Sequence, residues 1–303
     1  MEKNGMNKCI EKAVIPAAGY GTRMLPFTKA VPKELIPLVD TPVLQYVAEE
    51  AVDAGAKKIL FIISDGKEAV IDHFKKSAGL EKQLKQCGKD ALLLKMQKLS
   101  ELAEFSFVYQ RELNGLGGAV ALAEDFVGND PFLVLLGDTV IDSPRGNNAS
   151  KELINVYNMH HSPVVAVTPV PEEKISSYGI VAGKETVRDD VLLLDDIVEK
   201  PGVENAPGNL AVTARYLLTP DIFQALNETG HGVNNEIQLT DAIRKLLHKR
   251  PFYGCKISGR RYDLGSVSGF LTANVVFALR HPELGKQLTR EIADILKEKN
   301  IIE

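Results

Sequence analysis

Cysteine is scarce in this chain. Cys9, Cys87 and Cys255 are odd in number, far apart and form no Cys-x-x-Cys pair, which argues against a disulfide framework or a cysteine-based zinc site. Histidine is nearly as sparse. The adjacent His160 and His161 would point to opposite faces of a strand, so both are read as surface residues rather than metal ligands. No stretch approaches the ~18 consecutive apolar residues that a membrane-spanning helix needs. The N-terminal MEKNGMNKCIEK has no apolar signal core, so a cytoplasmic protein is expected. There is no excess of positive charge: the net charge is −4. Neither nucleic acid nor an anionic membrane is therefore an expected partner, and an anionic substrate would have to be met by a few placed Lys and Arg. Repeats, low-complexity tracts and obvious linkers are also missing.

What is present is a recurrence of short apolar runs, at residues 13–16, 58–64, 105–109, 132–136 and 164–170. Runs that are apolar at every position suit strands buried on both faces. Between the first two lies TPVLQYVAEEAVDAG, where Thr41 can cap a helix, Pro42 can take its first position and Gly55 can end it. Val43, Val47 and Ala51 fall on one side, with Leu44, Ala48 and Val52 adjoining. Strand–helix–strand alternation predicts an α/β fold, a mostly parallel sheet with helices on both faces. Ligands of such sheets sit beyond the carboxyl ends of the strands. Residues 66–104 read as a Lys- and Leu-rich helical excursion. Leu239, Ile243, Leu246 and Leu247 mark one helix, and Leu284, Leu288, Ile292 and Leu296 another. A single domain over residues 1–303 is expected, with a C-terminal helical appendage from about 270. Its apolar residues suit either subunit contacts or packing on the same chain, and a homo-oligomer is expected.

The strongest local signal is AVIPAAGYGTRMLPFTKAVPKE. A strand runs into Ala17, Ala18 and Gly19, then Gly21 and Thr22. Small residues let backbone amides approach phosphate oxygens closely, and Arg23 and Lys33 add permanent positive charge. A dinucleotide-binding loop would need a third small residue where Met24 stands, and a Walker loop would need Gly-Lys-Ser/Thr. Asp138 follows Gly137 at the carboxyl end of an apolar strand, where a hard carboxylate suits Mg2+. Asp263, in Arg-Tyr-Asp-Leu-Gly-Ser, reads either as a second metal ligand or as a turn residue. Gln110 offers a donor and an acceptor together, which match uracil and thymine equally.

These segments resemble the sugar-nucleotide pyrophosphorylases. The resemblance is carried by residues 17–26, Thr28-Lys29-Ala30, Pro32-Lys33-Glu34, Gln110 with Gly115-Leu116-Gly117, Gly137-Asp138, Val198-Glu199-Lys200-Pro201, Asn209-Leu210-Ala211, the block Glu236–Ile243 and Tyr262-Asp263-Leu264-Gly265. It covers roughly residues 10–285, and the Glu236–Ile243 block with the extended Pro37–Val47 match narrows it to the uridylyltransferase branch. It implies a Rossmann-like mixed sheet of the nucleotide-diphospho-sugar transferase type, a requirement for Mg2+, and synthesis of UDP-glucose and pyrophosphate from UTP and glucose 1-phosphate. It further implies uracil pairing at Gln110 with backbone contacts from Gly115. Glu199 and the backbone at Gly179 are implied on the glucose, and Lys200 on its phosphate. Because Pro201 favours an extended backbone before it, Glu199 and Lys200 are expected to point oppositely. Asn114 stands where many members have Lys, and Gly118 where many have His. With the substrate phosphate mostly dianionic at pH 7, second pKa near ~6, no general base is required. That agrees with the absence of a Ser/His/Asp or Cys/His set.

Overall fold

The structure is a computed structural model and describes residues 9–144 and 146–299. Among the described residues, nine strands form the main sheet: β1 (Lys12–Pro16), β2 (Lys58–Ile63), β3 (Glu104–Tyr109), β4 (Phe132–Leu135), β5 (Val164–Pro169), β6 (Gly179–Glu185), β7 (Val191–Glu199), β8 (Leu210–Leu218) and β9 (Tyr253–Lys256). Their order is β3-β2-β1-β4-β8-β5-β9-β7-β6. The β3-β2-β1-β4 half is parallel throughout, as alternation with helices requires. Beyond β4 the sheet is mixed. Strand β8 runs antiparallel to β4, β5 and β6, whereas β5 and β9 pair in parallel. The parallel share is thus smaller than the alternation of apolar runs suggests, because an apolar run carries no record of its direction.

Helices cover both faces. Ala13 and Ile15 of β1 pack with α1 (Val43–Asp53) on one side, and Val14 packs on the other. All three are fully buried, each aliphatic Val or Ile contributing about 1.5–3 kcal/mol. Helix α1 buries Val43, Leu44, Val47, Ala48 and Ala51, as its spacing predicts. Its start differs. Thr41 and Pro42 pair with Pro37 and Leu38 in a small hairpin, and Thr41 Oγ1 donates to Asp40 instead of capping the helix. The excursion consists of α2 (Glu68–Phe74), α3 (Ala78–Gln86) and α4 (Asp90–Ser100), where α3 buries nothing and α4 only Leu99.

Further on come α5 (Gly115–Ala121), α6 (Ala149–His160) and α7 (Leu239–Leu247). The chain closes with α8 (Val267–Arg280) and α9 (Gly285–Glu298). His160 ends a helix rather than a strand and stacks on Tyr253 at 4.0 Å, while His161 follows in a left-handed turn. Cys9 and Cys87 are exposed, and Cys255 is buried, its thiol pushed up to about 12 by burial. No helix among the described residues is long and apolar enough to cross a membrane.

One irregularity shapes the middle of the sheet. Strand β8 changes register between Val212 and Tyr216, and Ala214 within that bulge has φ +54. The bulge directs Arg215 into the interior, where it is fully buried against Glu50 and donates to the carbonyl of Thr139.

Candidate active site

The loop after β1 is built against β2. The Ala17 amide donates to Ile62 at 2.7 Å, prolonging the strand pairing, and both Ala17 and Ala18 are buried. Gly21 has φ +67, and a Cβ there would lie 3.0 Å from Lys33 Cβ, so both conformation and space demand glycine. Short 3-10 turns at Thr22–Met24, Phe27–Lys29 and Lys33–Leu35 bring the chain back under the loop. The stem of Lys33 runs along Gly21, and its ammonium reaches Asp138 Oδ2 at 2.6 Å. Burial lowers the Lys33 pKa, but the charges of Asp138 and Glu34 outweigh it and hold the ammonium above its usual range. For Asp138, burial pushes upward and the Lys33 charge overcomes it, leaving the carboxyl below its usual range. At neutral pH the pair is ionised.

Asp263 arrives from the other side. The strand Arg260–Asp263 pairs antiparallel with Thr139–Asp142, placing Asp263 opposite Thr139. Its Oδ1 accepts from the Gly265 amide at 3.0 Å, and Arg23 Nη1 stands 3.5 Å from Oδ2. A Cβ on Gly265 would meet Arg23 Nη2 at 2.7 Å, Asp263 Oδ1 at 3.1 Å and Asp138 Oδ2 at 3.3 Å, so the two carboxylates flank a single point that the Arg23 guanidinium also approaches. Residues 125 apart in sequence are thus brought together with Arg23 and Lys33, as a shared role for the two aspartates would require. Among the described residues no cluster of three or more His, Cys, Asp and Glu forms a closed metal cage.

Arg23, Asp138 and Asp263, but not Lys33, line an open cleft of about 1060 Å³. Thr22, Gly179, Glu199 and Lys200 line the same cleft, whereas residues 17–21, Gln110 and Gly115 stand outside its lining. A second hollow of about 330 Å³, beside Glu50, Asp142 and Phe277, contains none of the predicted site residues. In the cleft, Gly179 pairs with Glu199 across β6 and β7, and Glu199 Oε2 accepts from Thr240 Oγ1 at 3.0 Å. A Cβ on Gly179 would meet Thr240 Cγ2 at 2.9 Å, which keeps the backbone bare there. Lys200 departs from expectation. Its φ is +43, not extended, and its ammonium lies 3.5 Å from Glu199 Oε1. The left-handed turn, closed by the Lys200 amide on Tyr178, folds both side chains into the same space.

Gln110 follows β3 and is buried. Its Nε2 donates to Asn114 Oδ1 at 3.0 Å and to the Gly115 carbonyl at 3.2 Å. The donor half of the amide is therefore spent inside the protein, and Oε1 alone has no partner among the described residues. One half of the amide, not both, is thus open to a ligand, against the two-point pairing expected of it. Gly115, at φ +97, packs against Glu236 and Ile237, where a Cβ would come within 2.7 Å. A Cβ on Gly118 would fall 1.8 Å from Asn114 Oδ1. The two departures noted in this segment therefore fit each other: Asn114 occupies the space that any side chain at 118 would need.

Three further residues belong to this region, two of them, Arg261 and Lys67, without a clear signal in the sequence, whereas Glu236 opens the Glu236–Ile243 block. Arg261 lies over the Tyr178 ring at 4.4 Å and lines the cleft; its only signal is its place two residues before Asp263. Glu236 also lines the cleft, and Lys67 sits beneath the phosphate loop.

A loop of small residues with basic side chains, two carboxylates at strand ends and an open cleft across a mixed sheet define a nucleotidyl transferase, and residues 12–278 match the Nucleotidyl transferase family. The chain is 43% identical over 292 residues to UTP–glucose-1-phosphate uridylyltransferase YngB of Bacillus subtilis, covering 96% of this chain and 97% of that protein. It is 40% identical to UTP–glucose-1-phosphate uridylyltransferase of Streptococcus pneumoniae, covering 97% and 98%. The fold superimposes on UTP-bound UGPase from Acinetobacter baumannii with a TM-score of 0.87 at 37% identity, covering 94% of this chain and 99% of that one. The chain belongs to the UTP–glucose-1-phosphate uridylyltransferase family.

Proposed function

We propose that this chain makes UDP-glucose and pyrophosphate from UTP and glucose 1-phosphate. The observation that carries this reading is the convergence of Arg23, Lys33, Asp138 and Asp263 beside the small-residue loop, with Arg23, Asp138 and Asp263 lining the same cleft as Glu199 and Lys200. In this reading residues 17–21 and Thr22 hold the triphosphate with backbone amides and a hydroxyl. Arg23 and Lys33 neutralise it. Gln110 Oε1 accepts the N–H of uracil, and Gly115 lies against the base. Glu199 accepts from glucose hydroxyls beside Gly179, and Lys200 holds the sugar phosphate.

Asp138 and Asp263 would hold Mg2+. The fit rests on geometry: two hard carboxylates flank one point, each already facing a cationic group. Two carboxylates completed by phosphate oxygens suit an ion that keeps an open coordination sphere. Bound there, Mg2+ would supply positive charge to the phosphate oxygens. An oxygen of the sugar phosphate forms a bond to the α-phosphorus as the bond from that phosphorus to the bridging oxygen breaks and pyrophosphate departs in line. The nucleophile is already ionised, so no side chain removes a proton. The residues supply position and charge. We further read the chain as one nucleotidyltransferase domain with a C-terminal helical appendage, working in the cytoplasm. Val267, Leu271, Val275 and Leu279 form an exposed apolar row along α8, which supports a homo-oligomer.

Pyrophosphate release, measured with UTP and dTTP across a panel of sugar 1-phosphates, tests the reading. UTP with glucose 1-phosphate should be the best pair. A clear preference for dTTP or for N-acetylglucosamine 1-phosphate would overturn it.

Two variants probe the halves of the cleft. Lys200→Ala should weaken use of the sugar phosphate, and Glu199→Gln should relax discrimination among sugars. Each should cost about ten-fold in kcat/KM, as expected for one hydrogen bond to a charged group. Wild-type kinetics for both variants on every sugar would remove this assignment. On the nucleotide side, Gly118→Ala forces Asn114 away and releases Gln110. KM for UTP should rise roughly ten-fold with kcat for saturated enzyme little changed; an unaltered KM would detach Asn114 from base recognition.

A further inference from the structure

Lys67 is buried, and nothing in the chemistry above uses it. It ends the turn at residues 64–67, closed by its amide on the Ser64 carbonyl at 3.2 Å with Gly66 at φ +83. Its ammonium lies 2.8 and 2.9 Å from the two oxygens of Glu34, which is also buried. The same ammonium donates to the carbonyls of Ala17 at 2.5 Å and Gly19 at 2.7 Å. Ser64, from the same turn, donates Oγ to the Ala18 carbonyl at 2.8 Å. Three successive carbonyls of the phosphate loop are therefore held by one turn behind it.

A peptide unit is planar and trans, so its C=O and N–H point in opposite directions. Anchoring the carbonyls of residues 17, 18 and 19 fixes the directions of the amides of residues 18, 19 and 20. Among the described residues, those amides donate to no protein acceptor and so are free to meet a ligand. The three hydrogens of the Lys67 ammonium are engaged by two carbonyls and a carboxylate, so none remains for a phosphate. Its influence on a ligand has to pass through the loop.

We infer that Lys67, assisted by Ser64 and fixed by Glu34, is a positioning group for polyphosphate binding: it turns the loop carbonyls away from the cleft and so aims the amides of Ala18, Gly19 and Tyr20 at the triphosphate. This rests on the reading that the loop binds the triphosphate. Burial opposes both charges, drawing Lys67 below and Glu34 above their usual ranges, and each partner's charge counters that shift. Removing Lys67 alone would leave Glu34 buried without its counter-charge, a change that threatens folding. The informative variant therefore neutralises both, Lys67→Met with Glu34→Gln.

The test compares affinity for UTP with affinity for uridine, which has no phosphate, by titration with ligand-observed NMR. Lys67→Met/Glu34→Gln should weaken UTP about ten-fold or more and leave uridine nearly unchanged. Ser64→Ala should weaken UTP by roughly three-fold, and Ser64→Thr, which keeps the hydroxyl, should restore it. A parallel loss of UTP and uridine would mean a merely structural pair and overturn the inference. Arg23→Ala serves as the control for the loop itself. If it weakens UTP while the Lys67 and Ser64 variants do not, the positioning role falls and the loop reading stands. If none of the variants changes UTP affinity, the loop reading fails and the inference with it.

Discussion

Replacing Asp138 or Asp263 with Asn is expected to lower kcat by about a hundred-fold or more and to move the Mg2+ dependence of activity to higher concentrations. Both variants should still fold. In Asp263→Asn the new side chain keeps an oxygen for the Gly265 amide, and in Asp138→Asn it keeps one for the ammonium of Lys33. What each variant loses is the formal charge at the point that both carboxylates flank. Two turn-forming aspartates would behave otherwise, since asparagine forms turns as readily. Superimposable Mg2+ titrations for wild type and both variants would remove the metal site. A second readout comes from pH. The Asp138 carboxyl is held below its usual range, so its contribution to folding is present above pH ~4 and fades as pH falls through the lowered value. Asp138→Asn should flatten that acid limb of the stability curve.

The largest loss of stability is expected from Arg215→Met. Arg215 makes three hydrogen bonds to the carboxylate of Glu50, at 2.8 to 3.1 Å, and others to the carbonyls of Thr139 and Ala214. Both partners are nearly sealed from solvent. Stripping the guanidinium away leaves a buried carboxylate supported only by the amide and hydroxyl of Ser150, at a cost of about 3–5 kcal/mol. Denaturant unfolding should show it as a lower midpoint. Adding Glu50→Gln should recover much of the loss, because the penalty belongs to the orphaned charge rather than to the missing bonds. An Arg215→Met protein as stable as wild type would show that Glu50 is relieved by water.

The parts of the fold legible in the sequence are those governed by burial. Strands β1, β2 and β4 are apolar at nearly every position because both their faces are covered, and α1 announces itself by the spacing of Val43, Val47 and Ala51. Asp138 is legible because a charged residue directly after such a strand stands at the sheet's edge. What escapes depends on tertiary partners. Thr41 has the chemistry of a helix cap but is drawn into a hairpin with Leu38. Lys200 precedes a proline yet turns left-handed, as its amide closes on Tyr178. The donors of Gln110 are consumed by Asn114 and Gly115, which no property of glutamine announces. Lys67 reads as one more lysine after a turn until the carbonyls of residues 17 and 19 are placed around it.

The change of strand direction beyond β4 has a consequence for how such an enzyme can diverge. Residues proposed for the nucleotide, apart from the packing of Gly115 on Glu236, come from the parallel half, and those proposed for the sugar come from β6, β7 and the turn after them. The halves meet covalently between β4 and β5 and chemically where Asp138 faces Asp263. The β4–β8 pairing and the Glu50–Arg215 ion pair stitch the halves together, so a change that leaves this seam alone can alter one substrate's contacts and spare the other's.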